Sequence, residues 1–259
     1  MKRRFLMQAT VAAFAFAVAA PVFADGMADA QAVVDKYASQ VTKWDGPTTG
    51  PKAAAGKNVV VLAADMKNGG ILGVVNGIEE AAKAIGWKVT VLDGAGSISG
   101  RTAAFGQAMA LKPDGIIING FDAVEQGPAM EQAKAAKIPM VSWHAAPKVG
   151  PVPEVGVFAN VTTDAMEVSK AAADWAFIDA KGKPGVIIFT DSTYAIAIAK
   201  ADRMKKEIQD LGGTVLEYVD TPIAETSQRM PQLTTSLLQK YGDKWTHSLA
   251  INDLYFDFM

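Results

Sequence analysis

The sequence predicts an α/β fold built on parallel sheets, and three observations carry that prediction. Short apolar runs alternate with longer amphipathic segments along the chain, the order that crossover helices between parallel strands require. The runs are continuous rather than alternating, as in Val59-Val60-Val61-Leu62-Ala63-Ala64, which suits strands buried on both faces. Polar, glycine-rich turns follow them, the first being Asp65-Met66-Lys67-Asn68-Gly69-Gly70. Such a turn lies beyond the carboxyl end of its strand, where open α/β sheets bind ligands.

The organising unit is Asn58–Asp93. Its strand leads into a helix over Ile71–Ile85, in which Ile71, Val74, Val75, Ile78, Ala81, Ala82 and Ile85 repeat at the helical period. A second strand, Trp87–Leu92, completes a right-handed βαβ unit. Ahead of it, residues 27–43 carry Ala30, Val33, Val34, Tyr37 and Val41, the pattern of a peripheral amphipathic helix. The stretch Asp45–Gly56 reads as a linker. After the unit comes the glycine-rich Asp93–Gly100, whose spacing matches neither the dinucleotide fingerprint nor the P-loop and is read as a plain turn. A helix near Arg101–Leu111, strand Gly115–Asn119, helix Val124–Ala136 and strand Pro139–Trp143 follow. The irregular His144–Glu154, with its three prolines, closes this half.

A second half is expected to repeat the βαβαβ order. It opens with the extended run Val155–Val161 and a helix from an N-cap within Thr162-Thr163-Asp164 to about Ala180. Strand Val186–Thr190, helix Tyr194–Leu211, strand Thr214–Val219, helix Thr226–Tyr241 and strand Ser248–Asn252 complete it, with the opening of another helix behind them. The expected organisation is therefore a leader at 1–24, a helix and linker at 25–57, one α/β lobe at 58–158 and a second, incomplete, at 159–259.

The leader is an export signal. Lys2-Arg3-Arg4 precedes the apolar run Phe5–Ala20, and Pro21-Val22-Phe23-Ala24 offers small residues at the cleavage positions before Asp25. The run is short for a bilayer span, so cleavage near Ala24 and a periplasmic location are expected. Removing residues 1–24 takes three basic residues and no acidic one, leaving 22 basic against 27 acidic and a net charge of −5. A mildly acidic exported protein is not a natural nucleic-acid binder. The chain has no cysteine, which excludes disulfides and cysteine-ligated metals. At this length the core can hold the fold without them.

Specific residues then carry a resemblance. The first turn holds Asn68, and Asn76-Gly77-Ile78-Glu79-Glu80-Ala81-Ala82 lies in the helix after it. Lys112-Pro113-Asp114-Gly115-Ile116-Ile117-Ile118-Asn119, Ala136-Lys137-Ile138-Pro139-Met140-Val141, Val157–Asp164 and Ala250-Ile251-Asn252-Asp253 follow. From about residue 58 on, the chain resembles the type I periplasmic substrate-binding proteins of ABC transporters, the ribose- and galactose-binding group. The resemblance implies two Rossmann-like lobes with parallel sheets and a ligand cleft between them, closed by a hinge around a small solute. It also implies delivery to a membrane permease, no cofactor, no metal and no catalysis, and further β–α units beyond Met259. A monomer is expected.

By position, Asn68 and Asn252 match ligand-contacting asparagines of that family, the alternatives being support of a tight Asn-Gly turn at Asn68 and helix N-capping at Asn252. The strand end Ser142-Trp143-His144-Ala145 stands where its sugar binders carry an Asp-Arg pair. His144 and Ala145 depart from that pair, so arginine's bidentate grip is lost, and Gly69-Gly70-Ile71 replaces the family's aromatic residues. Trp143, Phe121 or Tyr194 could supply stacking instead. Asp191 and Tyr194 lie at the mouth of the second lobe by geometry alone. Lys200, loosely spaced from a family arginine, reads as a solvated lysine. The expected ligand-binding set is Asn68, Trp143, His144, Asp191, Tyr194 and Asn252, for a sugar or polyol. A non-sugar solute, or a sensor that presents its closed form to a chemoreceptor or kinase, is the alternative. An enzyme is disfavoured. The only histidines are His144 and His247, and no hydrolase, zincin or P-loop motif is present.

Overall fold

The computed structural model describes residues 19–44 and 46–259, with side chains from residue 26 on. The basic residues and most of the apolar run of the expected leader lie outside the described residues. The elements in order are α1 (Ala19–Ala38), β1 (Asn58–Ala63), α2 (Gly69–Ala84), β2 (Lys88–Asp93), α3 (Ile98–Leu111), β3 (Gly115–Asn119), α4 (Gly127–Ala135), β4 (Met140–Trp143), β5 (Gly150–Val152) and β6 (Val157–Val161). Then come α5 (Ala165–Asp179), β7 (Gly185–Thr190), α6 (Ala195–Asp210), β8 (Thr214–Asp220), α7 (Thr226–Tyr241) and β9 (His247–Ala250). The strands form two sheets, ordered β2-β1-β3-β4-β6-β5 and β8-β7-β9. Every pairing is parallel except that of β5 with β6.

The first sheet owes its core to the run that the sequence singles out. Val59–Ala63 of β1 are all buried, and because neighbouring side chains point to opposite faces, both faces of this strand are covered. Beside it, the Asp93–Gly100 loop is glycine-rich for packing. A Cβ on Gly100 would stand 2.1 Å from the carbonyl oxygen of Gly94, so the chain can turn into α3 only without one. Ser97 caps that helix, accepting from the Gly100 N–H at 3.1 Å.

In the second sheet the central strand β7 is buried along its length, and its side chains divide between two clusters. Val186 and Ile188 pack with Ala201, Met204 and Ile208 of α6, whereas Ile187 and Phe189 pack with Met230 and Leu237 of α7. That is the period-2 split of a strand sandwiched between helices. Helix α1, from its described side chains on, lies against α5. Ala30 is fully buried, and the Tyr37 hydroxyl donates to Glu167 Oε2 at 2.7 Å.

Two expectations change. The sequence alone places the run Val155–Val161 at the opening of the second half, but β6 pairs in parallel with β4, Met140 against Val157 and Trp143 against Val161. It therefore belongs to the first sheet, and the boundary expected between 158 and 159 falls inside it. The chain crosses to the second sheet at Thr162–Asp164. The region His144–Glu154 is not wholly irregular either, since Gly150–Val152 adds an antiparallel edge strand. Pro151 in it is compatible with an edge, where a missing N–H costs no ladder bond. Among the described residues no helix is long and apolar enough to cross a membrane.

Candidate ligand-binding site

In a sheet ordered 2-1-3, the strand order reverses beside β1, and the loops leaving β1 and β3 splay apart to leave a crevice. The second sheet has the same arrangement around β7. The carboxyl ends at these two points face one cavity of about 200 Å³. Asn68, Gly70 and Ile71 follow β1, Gly120 follows β3, and Trp143 and His144 end β4. Tyr194, Ile196, Ala197 and Lys200 follow β7, Ile223 follows β8, and Ile251 and Asn252 follow β9. Gly120 is a close-approach position, with φ at +86° and a hypothetical Cβ 2.8 Å from Ile71.

Five of the six expected residues thus meet in one place. Asn68 is the N-cap of α2, and its Oδ1 accepts from the N–H groups of Gly70 at 3.0 Å and Ile71 at 3.3 Å. These bonds identify Oδ1 as the oxygen and leave the Nδ2 donor without a partner among the described residues. Asn252 repeats the device, with Oδ1 accepting from Leu254 N–H at 3.1 Å. The Tyr194 hydroxyl accepts from Arg101 Nη1 at 3.4 Å, which leaves its own proton free to donate. Trp143 makes an edge-on contact with His144, ring centres 4.1 Å apart.

Asp191 does not join them. It is buried, its Oδ1 accepts from the Thr193 N–H and hydroxyl, and its Oδ2 accepts from Ile223 N–H at 2.8 Å. Both oxygens brace the loops behind the cavity instead of lining it. Phe121 is likewise fully buried, beneath Arg101. Lys200, expected in solvent, is half-buried and lines the cavity. The sequence held the signal. Lys200 lies four residues after Ile196, three after Ala197 and four before Met204, on the buried stripe of α6.

His144 is set by its backbone and its neighbours. Its φ of +52° is unusual for a side-chain-bearing residue, and its N–H donates to the Val161 carbonyl at 3.2 Å. Thr162 Oγ1 lies 2.8 Å from Nδ1. Burial first, then the Lys200 charge, push the ring's pKa from its usual 6.5 down to about 4, so the folded protein holds the imidazole neutral. Between those values the unfolded chain binds a proton that the folded chain refuses, so stability falls as pH drops from about 6.5 to about 4. Urea midpoints should decline more steeply over that window in the wild type than in His144→Gln, and equal slopes would contradict a buried neutral ring. Ser142 is no partner for it, since its hydroxyl donates to Asn160 Oδ1 at 2.8 Å. His247 sits at the opposite end of β9, 3.0 Å from Asp179.

A larger groove of about 1150 Å³ runs between Ile98, Val124, Val149, Val155 and Met166. Its charged groups are already engaged, Lys148 with Glu154 and Glu125 with Arg101, so it lacks the free, convergent polar groups of the smaller cavity. Among the described residues no group of three or more histidine, aspartate or glutamate side chains is placed to hold a metal.

Solved structures share this fold. A galactofuranose-binding protein is 18% identical with a TM-score of 0.67, the match covering 77% of this chain and 68% of that one. An ABC transporter solute-binding protein from Agrobacterium vitis, with bound allitol, is 18% identical with a TM-score of 0.68, covering 79% and 70%. The fructose-binding periplasmic domain of a hybrid two-component system is 15% identical with a TM-score of 0.62, covering 79% and 67%. No curated protein matches the chain. Residues 59–255, from β1 to the turn after β9, match the family described as periplasmic binding protein domain, and the chain belongs to that family.

Proposed function

We propose that the chain is the periplasmic solute-binding component of an ABC importer. It takes a small polar solute of the sugar or polyol class into the cavity between its two sheets and hands it, chemically unchanged, to a membrane permease. The observation that carries this reading is convergence: Asn68, Trp143 and His144 from one lobe and Tyr194 and Asn252 from the other line a single cavity. Its volume of about 200 Å³ is room for about seven waters at ~30 Å³ each, the bulk of a small solute rather than of a peptide. Family membership and the fold shared with the galactofuranose- and allitol-binding proteins support it. Export with cleavage after Ala24, and a monomeric product, belong to the same reading. Helix α1 spans that position, so cleavage leaves residues 25–38 as the part that lies on α5. The fold is shared also with a periplasmic domain of a two-component system, and a sensor would use the same cavity.

The test separates binding from capping. Serine caps a helix about as well as asparagine but carries no amide donor. Asn68→Ser should therefore leave stability within about 0.5 kcal/mol while weakening solute binding about tenfold, the worth of one lost hydrogen bond. The readout is a thermal-shift screen of the full chain against sugars, polyols, amino acids and aromatic acids, since a ligand that binds only the folded form raises Tm. If no solute raises Tm, the reading fails. An unchanged affinity in Asn68→Ser rejects Asn68 as a contact.

A further inference from the structure

We infer that the solute bears a carboxylate, so that the cavity takes an acidic sugar or polyol derivative, an aldonate or uronate, in preference to its neutral counterpart. The inference rests on the solute-binding reading above. Its ground is an imbalance between donors and acceptors. A neutral sugar hydroxyl both donates and accepts, and a site built for several of them must offer both roles. Here the side-chain acceptors are few: one nitrogen of the neutral His144 ring and three oxygens that already accept. Asn68 Oδ1 accepts from two backbone N–H groups and Asn252 Oδ1 from one, the Tyr194 oxygen accepts from Arg101, and among the described residues no aspartate or glutamate lines the cavity. The buried carboxylates whose charges act on Tyr194, Asp191 and Asp65, are outside the lining and accept from loop N–H groups. What remains free is chiefly a set of donors: two amide groups, the tyrosine proton, the indole N–H of Trp143 and the ammonium of Lys200. None of these has a hydrogen-bond acceptor among the described residues.

Lys200 fixes the charge. It is half-buried on the cavity wall, with neither an ion pair nor a hydrogen bond among the described residues, and burial holds its pKa below the usual lysine value. A cation left without a partner in a desolvated wall is costly unless an anion arrives with the ligand. His144, neutral beside it, adds no second charge. One ammonium balances one negative charge, which matches a carboxylate and leaves a phosphate dianion under-compensated. The rest of the wall, Ile71, Ile196, Ile223 and Ile251, suits the C–H faces of a carbon skeleton.

Calorimetric titration of the full chain with matched pairs tests this: D-gluconate against D-glucitol, and D-galactonate against galactitol. The acid should bind at least tenfold tighter than its polyol, with an affinity that falls as salt is raised. Lys200→Met should abolish the preference and Lys200→Arg should keep it, each variant first shown by its melting curve to be folded. The comparison within the wild type stands even if a variant does not fold. Equal or tighter binding of the polyols, a neutral sugar or an amino acid as the best ligand, or a preference that survives Lys200→Met would overturn the inference and leave the solute-binding reading intact. Glucose 6-phosphate binding more tightly than gluconate would also overturn it, by moving the anion from carboxylate to phosphate. Failure of every solute in the broad screen would reject both readings.

Discussion

Replacing Arg101 by methionine should destabilise the protein by about 3–5 kcal/mol, the cost of removing one member of a buried ion pair. Only 1% of Arg101 is exposed. Its Nε and Nη2 donate to the two oxygens of Glu125 at 2.8 and 2.6 Å, a bidentate fork. Its guanidinium also lies 4.9 Å from the ring centre of Tyr194 and 5.8 Å from that of Phe121. Methionine fills part of the volume but leaves the Glu125 carboxylate, whose side chain is 14% exposed, without its cation and with only the Gln126 amide donating to it. Most of the loss should come from that stranded charge, so the double variant Arg101→Met/Glu125→Leu should recover much of it. Urea unfolding of the four proteins in the cycle measures the coupling, and a double variant no better than the single would show that packing against the rings dominates. Because Arg101 belongs to α3 and Tyr194 to the second lobe, the single variant should also loosen the far wall of the cavity.

Neither Arg101 nor its role is legible in the sequence, and the reason is physical. An arginine in the first turn of a helix normally stands in solvent, and its partner Glu125 is 24 residues away across a strand. The elements themselves are legible because their signals are local. The apolar run at β1, the helical stripe of α2 and the bounds of β3 and α7 can be read from neighbouring residues. Pairing is not local, which is why Val157–Val161 is misplaced: nothing within the run says that its partner is β4 and not β7. The site divides in the same way. Asn68 and Asn252 stand where turns leave strands, and those turns open on the cavity. Asp191 stands in such a turn too, but its short side chain closes on its own loop and on Ile223. Whether a carboxylate faces a ligand or a backbone N–H depends on an element 32 residues away, and no motif records that.

Truncating Asn160 to alanine should cost about 3–5 kcal/mol and should disable the site along with the fold, for a reason confined to one loop. Asn160 is 1% exposed and uses its whole hydrogen-bonding capacity. Oδ1 accepts from the Ser142 hydroxyl at 2.8 Å and from Ala145 N–H at 3.1 Å. Nδ2 donates to the carbonyls of Ala146 at 3.0 Å and Lys148 at 2.7 Å. The side chain thus replaces a strand partner for the segment leaving β4, which has no ladder of its own until Gly150. Alanine orphans several buried backbone groups at about 1–3 kcal/mol each, less than additively because the loop can relax toward water. Trp143 and His144 hang on that loop, so solute affinity should fall at temperatures where the variant is still folded, by circular dichroism. Asn160→Asp sharpens the argument: it keeps both accepted bonds but turns the two donated ones into an oxygen facing two carbonyl oxygens. If the network holds the loop, aspartate should be at least as damaging as alanine at pH 7, despite differing from asparagine by one atom of the amide. A milder effect for aspartate would mean that the Ser142 and Ala145 bonds alone hold the strand end, and that the Ala146 and Lys148 carbonyls find water when the amide is gone.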